Sequence, residues 1–219
     1  MKNLIIAIDG PSGAGKGTLA RSLALRLGYR HVDTGAMYRA VAWKAAHDGL
    51  SLDDDPAVSA VAAAAALDQV DGRITIDGHD VTRAIRTPAI DQAAASVARL
   101  RGVRDVLVGR QRALGAGGGV VMEGRDIGTV VFPDADMKIY LDASAEERAR
   151  RRTSDPSHSG GQGGLAHVQS ELVARDKTDA TRAVAPLTLA SDAVYLDTTT
   201  MPIEVVVDRV MTLVLGKLE

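Results

Sequence analysis

The run Gly10-Pro11-Ser12-Gly13-Ala14-Gly15-Lys16-Gly17-Thr18 sets two glycines and a lysine in the order Gly-x4-Gly-Lys. Glycines let successive backbone N–H groups turn inward around an anion, and the lysine adds a positive charge on a flexible arm. Together they suit the phosphates of a nucleoside triphosphate, with Lys16 reaching the β and γ groups and offsetting charge as it migrates during transfer. All nine residues, Gly10 to Thr18, are read as the triphosphate cradle of a P-loop phosphotransferase. Gly17 stands where a hydroxyl is usual, and Thr18 follows one residue later. Thr18 is therefore the candidate for the shell of a Mg²⁺ ion carried with ATP, most simply through water.

The other chemistry-bearing residues are largely arginines. Thr34 and Arg39, in Asp33-Thr-Gly-Ala-Met-Tyr-Arg39, put a hydroxyl and a guanidinium at a helix start, which makes a second anion site. Glu123-Gly124-Arg125-Asp126 sets carboxylates beside a guanidinium. Arg148, Arg151 and Arg152 fall at i, i+3 and i+4, and Arg175, Asp179 and Arg182 at i, i+4 and i+7, so each group shares a helix face. A lone surface arginine is ordinarily just solvated. Arginines grouped beside a glycine-rich loop are what in-line phosphoryl transfer needs, because the protein mostly positions two substrates and screens charge. The Arg148–Arg152 group next to a glycine-rich stretch, Ser154–Gly164, reads as a lid that excludes water.

The elements that must hold these groups alternate. Leu4–Ile8 is a buried strand, Thr18–Leu27 a helix closed by Gly28, His31-Val32 a second strand, and Gly35–Asp48 a helix. The alanine run Ala57–Leu67 is read as a packing helix. Arg73–Ile76, Asp77-Gly78 and a strand through Val81 form a small hairpin, since Asp-Gly favours a type I′ turn. Helices follow over Ile90–Leu100 and Val103–Leu114, then strands at Val120–Met122 and Lys138–Leu141. Ser144-Ala-Glu-Glu147 is a capping box opening the arginine-rich helix. Leu165–Lys177 is helical, Ala193–Leu196 is the last strand, and the final helix has Pro202 in its first turn and Ile203, Val207, Val210 and Val214 as its apolar stripe. Strand–helix alternation implies an α/β fold with a central parallel sheet, whose ligands sit at the carboxyl ends of the strands.

Bulk composition narrows the field. Of 26 basic residues 20 are Arg, and the net charge of −2 gives no support for nucleic-acid or membrane binding. The absence of cysteine excludes disulfides and thiolate catalysis and suits a reducing cytoplasm. The N-terminal apolar run is too short for a secretory signal, and no run is long enough to span a bilayer. A soluble cytoplasmic protein, monomeric, is expected. The P-loop alone is shared by switch GTPases, motor ATPases, sugar and shikimate kinases and nucleotide kinases. The sequence lacks an Asn-Lys-x-Asp guanine reader. A kinase of another small acceptor (UMP, AMP or shikimate) and a nucleotide-binding switch without kinase activity are the alternatives.

Six segments then carry a family resemblance: Asp9–Thr18, Asp33–Arg39, Gly124-Arg-Asp-Ile-Gly-Thr-Val-Val-Phe-Pro-Asp134, Lys138–Ser144, Glu146-Glu-Arg148 and Arg182-Ala-Val-Ala-Pro-Leu187. In this order, over nearly the whole chain, the sequence resembles bacterial cytidylate kinases. The resemblance implies a P-loop NTPase three-layer fold and transfer of the ATP γ-phosphate to CMP or dCMP with Mg²⁺. It also implies one kinase unit over 1–219, with its core in 1–62, 101–148 and 178–219. A nucleoside-monophosphate insert containing the hairpin would span about 63–100, and a lid about 149–177. Thr34 and Arg39 would bind the acceptor's phosphate side, and Arg104 and Asp126 the cytosine. Asp179, Arg125 and Arg182 would meet the ribose and acceptor phosphate. Lys16, Arg125, Arg148, Arg152, Arg175 and Arg182 would surround the transferring group. Two positions depart from the family pattern. Ala95 stands where the family has a serine near the base, so either Ser96 takes over through a helix shift or one base contact is missing and selectivity is looser; Glu123 replaces an aspartate.

Overall fold

The computed structural model describes residues 3–155 and 164–218. In chain order it runs β1 (Ile5–Asp9), α1 (Lys16–Leu27), β2 (Arg30–Asp33), α2 (Thr34–His47), α3 (Asp55–Ala64), β3 (Leu67–Val70), β4 (Arg73–Ile76) and β5 (His79–Asp80). It continues through α4 (Pro88–Val97), α5 (Arg101–Gly115), β6 (Val120–Glu123), a π-helical turn (Ile127–Val131), β7 (Met137–Asp142), α6 (Ala145–Thr153), α7 (Leu165–Thr181), β8 (Val194–Asp197) and α8 (Ile203–Leu218).

Five strands form a parallel sheet in the order β2-β6-β1-β7-β8, as the alternation predicts. β1 lies in the middle, with Ile6 opposite Val121 on one side and Met137 on the other. Its residues are buried on both faces, which is why its sequence is continuously apolar. Leu19, Leu23, Val207, Val210 and Val214 from α1 and α8 fill one side of the sheet. Met37, Val41, Val58, Val103 and Leu107 from α2, α3 and α5 fill the other.

Two expectations change here. The predicted hairpin is a three-stranded antiparallel sheet, β3-β4-β5. The helix read through Leu67 stops at Ala64, and Leu67–Val70 pairs with β4. Two Asp-Gly corners make this sheet: Asp71-Gly72 and Asp77-Gly78 have φ of 49° and 79°, and 48° and 79°. Each corner joins strands that pair directly across it, Val70 with Arg73 and Ile76 with His79, as two-residue type I′ loops do. Ile74, Ile76, Val81 and Ile85 seat this small sheet on Ala36 and Ala40 of α2.

The second change is at α6. The Ser144 hydroxyl accepts from the Glu147 N–H at 3.2 Å, but the Glu147 carboxylate turns forward to Arg150 and Arg151, so only half of the expected box forms. The helix α7 is continuous through residue 177, where the lid was expected to end. Residues 156–163 of the expected glycine-rich loop lie outside the described residues.

Candidate active site

The loop between β1 and α1 is shaped by steric necessity. Gly10 has a φ of +143°, and a Cβ there would lie 1.9 Å from the Leu141 carbonyl oxygen, so only glycine lets the loop cross β7. Gly15 caps α1 in the left-handed region (φ 97°) and supplies no side-chain hydrogen bond. The first N–H groups of α1 therefore have no cap and point, with the positive end of the helix dipole, at the cleft. Gly17 has its own reason. A Cβ there would meet the Glu123 carboxylate at 3.2 Å and Arg21 at 3.3 Å, so the usual hydroxyl-bearing residue is replaced by glycine where the carboxylate reaches in. Glu123 is held there by His31, whose Nε2 lies 2.9 Å from Oε1.

Lys16 is buried and donates to the Pro11 carbonyl at 2.7 Å. Burial, with Arg125 nearby, pushes its ammonium well below the usual lysine range. A polyphosphate would restore the proton's hold, so the lysine is set up for an anion. Asp9, at the end of β1, accepts from the Ile127 and Gly128 N–H groups at 2.8 and 2.7 Å. It ties the phosphate loop to the π-helical turn after Asp126. Burial raises its pKa to about 6 despite those two bonds.

A cleft of about 850 Å³ opens over this loop. Ser12, Gly13, Gly15, Lys16, Gly17 and Thr18 line it from the loop, Thr34 and Arg39 from α2, and Arg125, Asp126, Arg152, Arg175, Asp179 and Arg182 from the far wall. Gly10, Pro11 and Ala14 lie behind the lining and shape it.

Asp126 is the charge centre of the far wall. Arg104 Nη2 donates to its Oδ2, and Arg182 Nη2 lies 3.2 Å from Oδ1. All three side chains are under 10% exposed, and Arg104 also lies 5.9 Å over the Tyr38 ring. Nη1 of Arg104 is buried with no hydrogen-bond partner among the described residues. A buried donor left open beside a carboxylate is the pattern expected at a ligand site. Arg125 Nε donates to Asp179 at 2.9 Å. Burial would raise the Asp179 carboxyl, but Arg125 and Arg175 outweigh it and hold it below the usual carboxylate range. Arg39 pairs with Asp33 at 3.0 Å, and the same carboxylate caps α2 through the Ala36 N–H. Thr34 faces the cleft but commits its proton to the Glu123 carbonyl at 2.7 Å.

Three assignments from sequence do not fit this geometry. Arg104 is buried against Asp126 and does not itself line the cleft. Arg148 does not line the cleft. Its guanidinium donates to the Ala143 carbonyl at 2.8 Å and the Ser12 carbonyl at 3.2 Å and pairs with Asp176 at 2.7 Å, so it props the phosphate loop from behind. Ser96 lines a separate cavity between α4 and α7, while Ala95 faces the main cleft. The helix has not rotated to bring Ser96 into the main cleft, so its hydroxyl does not line it.

One further arginine was placed by its helix face without a role of its own, and one carboxylate was not singled out at all. Arg151 donates to the Ala14 carbonyl at 3.2 Å and the Thr198 carbonyl at 2.6 Å, locking the base of α6 to the loop. The only advance signal was its place on the arginine face. Asp91 pairs with both Arg152 and Arg175. Nothing near it in sequence marked it. Among the described residues no three His, Asp or Glu side chains gather as a metal cage. The oxygen donors at the start of α1 are the exposed Thr18 hydroxyl and the Glu123 carboxylate beneath Gly17. That sparse set suits Mg²⁺, which keeps most of its waters and binds chiefly through substrate phosphates.

A family model for cytidylate kinase matches residues 6–215. A cytidylate kinase of Pelotomaculum thermopropionicum is 50% identical over 94% of this chain and 93% of its own length. One from Desulfitobacterium hafniense is 48% identical over 100% and 95%. Among solved structures, a shikimate kinase from Bacteroides thetaiotaomicron superposes with a TM-score of 0.52 at 12% identity, covering 96% of this chain and 98% of its own. That likeness speaks for the P-loop kinase fold alone.

Proposed function

Because the chain belongs to the cytidylate kinase family, we infer that it transfers the γ-phosphoryl group of ATP to CMP or dCMP, giving ADP and the cytidine diphosphate. The observation that carries the choice of acceptor is Asp126, facing the cleft between Arg104 and Arg182. Cytosine offers an amino group where uracil has a carbonyl. The Asp126 carboxylate accepts from that amino group, and guanidinium donors answer N3 and O2.

In this reading the loop amides and Lys16 hold the β and γ phosphates. Arg39 and Arg125 hold the acceptor's phosphate, with Thr34 at its side, and Asp179 and Arg182 meet the ribose side. An oxygen of the acceptor phosphate attacks the γ phosphorus in line. One P–O bond forms, the bond to the β–γ bridging oxygen breaks, and ADP leaves. No protein nucleophile takes part. Arg152 and Arg175, both lining the cleft, screen the charge spread over the equatorial oxygens. Arg148 supports the loop under them. Thr18, through water, would hold Mg²⁺ with Glu123 behind, and the ion supplies neutralising charge at the β and γ phosphates when bound. The division into core, insert of about 63–100 and lid of about 149–177 supports closure over both substrates, which keeps water from taking the phosphoryl group. A cytoplasmic location follows from the same reading, and no described helix is long and apolar enough to cross a membrane.

The test is a panel assay with ATP and Mg²⁺. CMP and dCMP should be converted to diphosphates far faster than UMP, AMP, GMP or shikimate. Comparable turnover with AMP or shikimate refutes the assignment, as does ATP binding that no acceptor converts to turnover.

A further inference from the structure

Arg152 comes from α6 and Arg175 from α7, and both line the cleft. Both also meet one carboxylate that neither helix supplies. Arg152 Nη2 donates to Asp91 Oδ2, and Arg175 Nη1 lies 3.3 Å from Asp91 Oδ1. Asp91 is buried on α4, the helix that closes the insert. It lies on the wall of a second cavity of about 350 Å³ between α4 and α7, whereas the two arginines line both that cavity and the cleft. The carboxylate thus grips the pair from the side away from the cleft. Arg152 gives it a hydrogen bond and Arg175 an ion-pair contact, each through one terminal nitrogen.

The electrostatics call for such a group. Arg39, Arg152 and Arg175 crowd one region; burial, with repulsion from Arg175 and Arg39 on Arg152 and from Arg125 and Arg39 on Arg175, weakens the proton hold of both. Like charges at this depth are screened poorly, so without a fixed anion the two side chains would spread apart until a phosphate arrived. A carboxylate shared between them removes that freedom beforehand, and preorganised charge is the kind that lowers a phosphoryl-transfer barrier.

We propose that Asp91 is a positioning residue of the phosphoryl-transfer site, a carboxylate of the insert that holds Arg152 and Arg175 toward the cleft and so ties insert to lid before substrates bind. The proposal rests on the reading of those two arginines as phosphate ligands. It differs from a packing role because its effect passes through charge and through the distance between two parts of the molecule.

The chain has no cysteine, so paired spin labels can be placed cleanly at Val70→Cys on β3 and Val173→Cys on α7, both half-exposed. Asp91→Asn keeps the shape and removes the charge. Its expected outcome is a kcat for CMP lowered about tenfold, with KM for CMP changed less, as for a misplaced catalytic group. The label–label distance of the nucleotide-free protein should broaden to longer values and return to the parent's on adding both nucleotides. The two changes must occur together, and either one alone overturns the proposal, as does neither. Asp91→Glu keeps the charge on a longer arm and should restore most of both quantities. If Asp91→Asn does not fold, a tenfold loss of kcat in Asp91→Glu at an unchanged distance overturns the proposal equally. Should the parent protein fail to phosphorylate CMP, the functional reading falls, while the nucleotide-free distance still reports on the Asp91 tie.

Discussion

Replacing Asp126 by asparagine separates base reading from stability. The carboxylate has about four lone-pair directions; Arg104 takes one by hydrogen bond, and Arg182 lies 3.2 Å from the other oxygen as an ion pair. The rest can accept from a cytosine amino group as a charge-assisted hydrogen bond worth about 1.5–3 kcal/mol. Its loss lowers kcat/KM for CMP by about 10- to 150-fold. For UMP the sign reverses, because a carbonyl facing a carboxylate is repelled and an asparagine amide can donate to it. The CMP/UMP ratio should therefore fall by roughly a hundredfold or more. The same substitution strips the counter-charge from two buried guanidiniums, which costs about 3–5 kcal/mol of stability. Both substrates meet the same folded molecules, so the ratio is insensitive to that loss. Initial rates by coupled ADP detection, with each acceptor varied at saturating ATP and Mg²⁺, measure it. A ratio within threefold of the parent's refutes the role of Asp126 and moves base recognition elsewhere in the cleft.

Lys16→Ala should lower kcat at least a hundredfold by removing preorganised positive charge, and steady-state rates that keep most of kcat would take Lys16 out of the mechanism. Gly10→Ala forces a Cβ to 1.9 Å from the Leu141 carbonyl and strains a φ of +143°, so urea unfolding should show a loss of more than about 3 kcal/mol. Asp9 has a folded-state pKa raised to about 6 from 3.8, so its protonated form stabilises the fold below about pH 4 and that contribution is lost as pH rises through 6. The rise corresponds to about 3 kcal/mol. The stability of the parent relative to Asp9→Asn should fall by up to that amount between pH 4 and 7 in urea titrations, and a pH-independent difference would contradict it.

The phosphate loop was readable from residue types because its geometry is local. Positive φ and an uncapped helix start are properties of Gly10, Gly13, Gly15 and their neighbours, whereas the close approach of Gly10 to Leu141 comes only with the fold. The parallel sheet was readable too, since a strand buried on both faces must be continuously apolar. The small sheet was read short by one strand. Leu67-Asp-Gln-Val70 has weak strand propensity and follows an alanine run, although Asp71-Gly72 carries the same turn chemistry as Asp77-Gly78. The arginines mark the other boundary. Helical spacing put Arg148 and Arg152 on one face, correctly, but four residues along α6 is about 6 Å. That height decides between propping the Ser12 carbonyl and meeting Asp91, a residue 61 positions away. Likewise Glu123 and His31 stand 92 positions apart and meet only because β2 and β6 are neighbours in the sheet. The sequence by itself determined which charges this protein carries and the loop that receives the triphosphate. Tertiary structure alone decided which arginine faces the cleft and which carboxylate holds it, because those pairings depend on where distant segments come to lie.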